Sequence, residues 1–146
     1  DLATGENSTY ISTLPSSPNG VLIQGDRLYI ASWGVMSDQP EERAEWITKT
    51  AGDLYWVSLK DAKKSRHIIA SELGNLDGVE IDQQGNIYVS DWESGKLYKI
   101  SSRTKTVISL GQYGQGLADI GLNWLTRELV LPVMLSNEVL FFTPNH

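Results

Sequence analysis

A motif that recurs along the chain limits its possible folds more than any other feature of the sequence. Pro18-Asn19-Gly20-Val21 is matched by Leu76-Asp77-Gly78-Val79, and each is followed by a turn and a strand-like segment. A weaker copy begins at Leu117-Ala118-Asp119-Ile120. The second copy begins 58 residues after the first, and the third 41 residues after the second. The first unit carries a polar insertion at about residues 34–50; without these 17 residues both spacings are 41.

The segments between the copies are typical of strands. They are short, rich in Val, Ile, Leu, Tyr and Trp, and separated by turn dipeptides such as Gly25-Asp26 and Gly85-Asn86. Helical periodicity is nearly absent. A period of about 41 residues with four short strands is the size of one propeller blade. The sequence therefore predicts an all-β fold of three four-stranded blades, which is half of a six-bladed β-propeller.

The chain is interpreted as one partial propeller over residues 1–146. Its blade-like repeats are expected at about 9–60, 66–101 and 105–143, each beginning with its outer strand. Three blades do not close a ring. The other half is therefore expected to come from a missing N-terminal segment or from a second copy related by a two-fold axis. The insertion at about 34–50 forms either a lid over the channel mouth or a surface excursion.

Composition excludes several classes of function. The chain has no cysteine, so it has no disulfide, thiolate zinc site or cysteine nucleophile. Its net charge of −6 argues against nucleic acid and anionic membrane surfaces as partners. No apolar run approaches the roughly 18 residues of a membrane span. The two histidines, His67 and His146, occur in no metal-binding or serine-triad pattern. Composition therefore leaves small molecules and proteins as partners.

Three segments resemble a known family. They are Pro18-Asn19-Gly20, the segment from Leu76 to Trp92, and Gly116-Leu117-Ala118-Asp119-Ile120-Gly121. Together they resemble the C-terminal half of the six-bladed propellers of the senescence-marker-protein, gluconolactonase and luciferin-regenerating-enzyme-like family. The middle segment is also similar to NHL-type repeats. The resemblance implies a hydrolase of sugar lactones or small esters that uses a divalent cation in the central channel.

The same resemblance also bears on location. Family members of this type are often exported, so a periplasmic or secreted protein is expected. The chain starts at Asp1 rather than Met. This start indicates either a leader that has been removed or a piece of a longer protein.

The resemblance also implies which residues bind the cation. In this family the Asn of Pro-Asn-Gly and the Asp of Asp-Gly are ligands, which implies Asn19 and Asp77 here, with Asp77 also as the catalytic base. Calcium is the first expectation, with zinc, manganese or magnesium as alternatives. Both residues hold the same place in their repeat, and their oxygens suit Ca²⁺. The third copy has Ala118 at this place, and the family's other ligands belong to blades that this chain lacks.

Each candidate residue also has a purely structural explanation. Asn19 and Asp77 stand in Asx-Gly dipeptides, which are common in turns. Asp119 either lines the channel or fixes a turn. Trp33 and Trp92 follow equivalent strands, so they either line a pocket and stack on a sugar ring or pack between blades. Asp91 is expected to cap a strand end. Because propellers host many functions, the alternative is a non-enzymatic module that binds a small molecule or a protein partner.

Overall fold

Three antiparallel sheets follow one another along the chain in the computed structural model, which describes residues 2–60 and 65–144. The first sheet contains β1 (Ser17–Gln24), β2 (Arg27–Met36), β3 (Thr48–Ser58) and β4 (Arg66–Gly74). The second contains β5 (Leu76–Ile81), β6 (Ile87–Asp91), β7 (Lys96–Ile100) and β8 (Val107–Gln112). The third contains β9 (Gly121–Asn123), β10 (Glu128–Val133) and β11 (Glu138–Phe142). In each sheet the strands pair in sequence order, which confirms the predicted all-β fold of blade-like sheets.

The outer strand ends each four-stranded sheet instead of beginning it. β4 pairs with β3, and β8 pairs with β7, while residues 9–14 form no strand. The third sheet has three strands within the described residues. The sheets therefore span residues 17–74, 76–112 and 121–142. These boundaries differ from those of the predicted repeats, which were 9–60, 66–101 and 105–143. Consecutive strands usually pair, and here the chain crosses to the next sheet after each outer strand, not before it.

Helical structure is confined to short segments. The helix α1 (Pro40–Ala44) lies in the predicted insertion, between β2 and β3, and a 3₁₀ turn covers Met134–Ser136. Within residues 2–60 and 65–144, no helix has the length and apolar character needed to cross a membrane.

Two apolar layers hold the three sheets together. Alternate residues of a strand point to opposite faces of its sheet, so each layer is built from every second residue. The layer between the first and second sheets includes Ala31, Leu54 and Val89. The layer between the second and third sheets includes Leu97 and Leu129. All five side chains are fully buried, and burying one Leu or Val stabilises the fold by about 1.5–3 kcal/mol.

The outward face of the third sheet is apolar and uncovered. The register of β10 with β11 places Val130 opposite Phe141 and Pro132 opposite Val139. Leu140 and Phe142, which alternate with them, face the second sheet instead. Val139 is 60% exposed and Phe141 is 69% exposed. We call this surface, Val130, Pro132, Val139 and Phe141, the last end face.

The outward face of the first sheet is also apolar but is partly covered. Ile30, Tyr55 and Val57 are buried there, and Leu14 of the N-terminal segment packs against them. Val21 and Ile23 of β1 remain 61% and 63% exposed on the same face. We call these five strand residues the first end face. The row of three sheets thus ends in an exposed apolar surface on both sides.

The innermost strands β1, β5 and β9 lie side by side, and glycine allows their close approach. A Cβ atom on Gly20 would overlap the carbonyl oxygen of Asp77. A Cβ atom on Gly78 would lie 2.8 Å from Cα of Asp119 and would overlap the backbone nitrogen of Ile120. Glycine is therefore required at the same place in the first two repeats because neighbouring backbone fills the space.

Candidate functional site

A cavity of about 760 Å³ opens at the end of the sheets where β1 and β5 begin and β2 and β6 end. Three indole rings, those of Trp33, Trp46 and Trp92, form its apolar wall. We call this cavity the tryptophan pocket. The polar side chains on its wall that bear on binding are Asn19, Glu45, Asn75, Asp77, Glu93 and Gln115.

The three tryptophans come from different parts of the fold and contact one another. Trp33 lies near the end of β2, Trp92 directly follows β6, and Trp46 follows α1 in the insertion. The ring centroids of Trp33 and Trp92 are 5.7 Å apart with planes inclined by 53°. Those of Trp33 and Trp46 are 6.3 Å apart and inclined by 74°. Trp33 and Trp92 thus contact each other between the first two sheets, and both line the pocket.

Asn75 and Asp91 fix the backbone that carries Trp33 and Trp92. The side-chain amide of Asn75 donates hydrogen bonds to the carbonyl of Trp33 (2.9 Å) and to Oγ1 of Thr48 (3.2 Å). The backbone N–H of Trp92 donates to the carbonyl of Asn75 (2.9 Å). The buried carboxylate of Asp91 accepts from the backbone N–H of Asn75 (3.2 Å). The pocket wall is therefore held in place before any ligand binds.

Asn19, Asp77 and Asp119 lie where the innermost strands approach one another, and we call this line of residues the inner wall. The Asn19 amide donates to the carbonyl of Leu76 (3.2 Å), and its side chain lies beside the Asp77 carboxyl. Burial raises the pKa of Asp77, the nearby Asp119 carboxylate raises this pKa further, and the polar Asn19 side chain lowers it. Burial also raises the pKa of Glu80, with Asp119 again contributing. The juxtaposition expected from the repeat therefore exists, and it makes the inner wall acidic.

The donor atoms on this wall do not complete a calcium site. Calcium takes six to eight oxygen ligands. Across the residues that the structure describes, no three His, Cys, Asp or Glu side chains are grouped so that they could hold a metal ion. Nδ2 of Asn19 donates to the Leu76 carbonyl, so Asn19 offers a cation one side-chain oxygen, Oδ1. The residues present therefore do not fit, by themselves, the cation that the family resemblance implies.

Several pocket residues were missed by the sequence analysis. Asn75 directly precedes the second copy of the repeated motif, and Glu93 directly follows Trp92. Their positions next to predicted site residues are the sequence signal that could have identified them. Trp46 lies in the insertion, which has no counterpart in the other repeats, so the repeat gave no signal for it. The end of the insertion lines the pocket through Trp46 and Thr48, which makes it part of the site.

Comparison with known proteins identifies the fold of this chain but does not identify a family. No protein-family model and no curated protein matches the sequence. Among solved structures, the fold is similar to that of an auxiliary nutrient binding protein from Bacteroides thetaiotaomicron, with a TM-score of 0.64 and 15% sequence identity. The match covers 94% of this chain and 33% of that chain, so this chain spans about a third of its length. At this identity the likeness shows an all-β, β-propeller-like fold alone.

Proposed function

We propose that this chain is the ligand-binding part of a β-propeller-like protein and that a small molecule binds in the tryptophan pocket. The observation that carries the proposal is the convergence of Trp33, Trp46 and Trp92 on one cavity of about 760 Å³. Pockets for small molecules occupy about 300–1,000 Å³ and combine an aromatic wall with a few polar groups. The solved protein of similar fold is described as a nutrient binding protein, which supports the same class of function.

The hydrogen bonds around Asn75 also support binding at this site. They hold Trp33 and Trp92 through their backbones, so a ligand does not have to order these segments when it enters. A wall that is already ordered reduces the entropy cost of association. The pocket is therefore suited to binding without a large conformational change.

Ligand-induced stabilisation of the full chain tests this proposal. We expect at least one of three probes, D-glucose, choline or glutarate, to raise the melting temperature, because a ligand that binds only the folded state stabilises it. At a ligand concentration 100 times the Kd, the stabilisation is about 2.7 kcal/mol. Trp92→Ala is expected to abolish the rise because it removes one wall of the pocket. Differential scanning fluorimetry measures both effects.

The matched control is Trp124→Ala. Trp124 is 48% exposed and lies in the turn between β9 and β10, outside the tryptophan pocket. Its replacement is expected to leave the ligand-induced rise unchanged. The proposal is contradicted if none of the three probes raises the melting temperature, or if the rise persists in Trp92→Ala.

A metal-dependent hydrolase of sugar lactones is a second candidate, favoured by the position of Asn19 and Asp77 on the same pocket wall. Burial and the neighbouring Asp119 raise the pKa of Asp77, and a carboxylate whose pKa is raised toward the operating pH is a better general base. A divalent cation, when bound, would polarise the lactone carbonyl. Its remaining ligands would have to come from outside this chain.

Hydrolysis of D-glucono-1,5-lactone in the presence of CaCl₂ tests this second candidate. We expect Asp77→Asn to lower kcat by about 100-fold or more, because loss of a general base typically costs this much. Glu138→Gln removes an exposed carboxylate on β11 and serves as the control, with kcat unchanged. A pH-stat assay measures both variants, and activity that survives Asp77→Asn would exclude Asp77 as the base.

We also propose that a second copy of this chain covers the two end faces. Sheets pack face to face through apolar side chains, and both ends of this row of sheets expose them, at Val21 and Ile23 and at Val139 and Phe141. A two-fold axis brings the first end face of each copy against the last end face of the other. Two rows of three sheets would then form a ring of six.

A further inference from the structure

The charge of the tryptophan pocket indicates the chemical class of its ligand. Carboxylates of Glu45, Asp77 and Glu93 lie on the wall, and no Lys or Arg of the described chain lines it. A cavity lined by one sign of charge concentrates ligands of the opposite sign. We propose that the pocket binds an organic ammonium cation, preferably a quaternary one. This inference rests on the proposed function, since it names the ligand class of the same pocket.

The indole rings favour the same class of ligand. The face of an aromatic ring is electronegative, and tryptophan attracts a cation within about 6 Å of its centroid more strongly than tyrosine or phenylalanine does. The ring planes of Trp46 and Trp92 are inclined to that of Trp33 by 74° and 53°. Rings inclined in this way on one cavity present differently oriented surfaces to a rounded, tetrahedral group. A sugar ring would instead stack its C–H face on a single open aromatic ring.

The spacing of the carboxylates distinguishes an organic cation from a metal ion. No three acidic side chains of the described residues are grouped closely enough to hold a metal. A quaternary ammonium needs no direct ligands, because its charge is spread over its methyl groups and acts through space. Gln115 donates a hydrogen bond to Oε2 of Glu93 (3.1 Å), which positions that carboxylate at the rim. Separated carboxylates around an aromatic wall thus suit a bulky cation.

A bound cation would also relieve a repulsion on the inner wall. Asp77 is half-buried, and a second carboxylate, that of Asp119, lies near it. A positive charge beside these two carboxylates offsets their mutual repulsion. A neutral ligand of the same shape gains nothing from these groups. The inference therefore predicts discrimination between two ligands that differ in charge alone.

Choline and its neutral isostere 3,3-dimethylbutan-1-ol, in which carbon replaces the charged nitrogen, provide this comparison. We expect choline to bind the full chain at least ten-fold more tightly than the isostere. Glu93→Gln is expected to weaken choline binding several-fold and to leave the isostere unaffected, because the variant removes charge and keeps shape. Isothermal titration calorimetry measures each Kd, and Glu138→Gln, far from the pocket wall, is the control that changes neither.

The possible outcomes separate this inference from the proposed function. If the isostere binds as tightly as choline, or D-glucose binds and choline does not, the pocket takes a neutral small molecule. The ammonium inference is then overturned while the proposed function stands. If none of choline, its isostere, D-glucose and glutarate binds, both are overturned. Tight choline binding that weakens in Glu93→Gln supports both.

Discussion

Gly20→Ala is expected to lower the free energy of unfolding by about 3 kcal/mol, the upper end of the range for overpacked sites. A Cβ atom at this position would overlap the carbonyl oxygen of Asp77 and lie 3.3 Å from Cα of Gly78. Both neighbours are backbone atoms of β5, so no side-chain rotation can make room. The first and second sheets would have to separate along their innermost strands. Urea unfolding followed by tryptophan fluorescence measures the loss.

The control for this variant is Gly121→Ala. Gly121 begins β9, and a Cβ atom there would meet nothing within 4 Å. Neither Gly20 nor Gly121 has a positive φ, so the two substitutions differ in space and not in backbone conformation. Gly121→Ala is expected to be neutral or to stabilise the fold by about 0.4–1 kcal/mol, because alanine restricts the unfolded chain. Equal losses in both variants would show that the contact between β1 and β5 is not the cause.

The glycines that allow this contact also explain why the candidate site residues meet. Gly20 follows Asn19, and Gly78 follows Asp77. The close approach of the backbones therefore brings the preceding side chains together on the inner wall. The repeat predicts that Asn19 and Asp77 meet, because residues at the same place in consecutive repeats lie on neighbouring inner strands. In the third copy Asp119 occupies the place of the glycine and is exposed. Its carboxylate is still close enough to Asp77 to raise the pKa of that residue.

Other parts of the structure were beyond what the repeat could predict. The strand character of β4 and β8 was evident, but a periodic pattern does not reveal whether an outer strand joins the sheet before it or the sheet after it. In the structure β4 pairs with β3 and β8 pairs with β7, so each outer strand joins the sheet before it. Trp46 reaches the pocket because α1 and the extended ends of β2 and β3 fold the insertion back over it. Tertiary packing of this kind leaves no periodic signal in the sequence.

Phe141→Asp is expected to convert a dimer of this chain into a monomer. Phe141 is 69% exposed on the last end face, so its replacement removes little packing within one copy, and surface substitutions usually change stability by less than about 0.5 kcal/mol. In the dimer the same position would be covered by the first end face of the partner copy. An unpaired carboxylate placed there would be desolvated, which is strongly unfavourable.

Native mass spectrometry distinguishes the two states, since one copy has a mass of 16.2 kDa and the dimer twice that mass. Ile108→Asp is the matched control, because Ile108 is 51% exposed on β8 of the second sheet, away from both end faces, and the dimer should persist. A dimer that also persists in Phe141→Asp would place the interface elsewhere. If the unmodified chain is monomeric, a second copy does not cover the end faces. Further sheets of one longer polypeptide or of a different chain would then have to bury Val139 and Phe141, because an apolar sheet face is stabilised when another face packs on it.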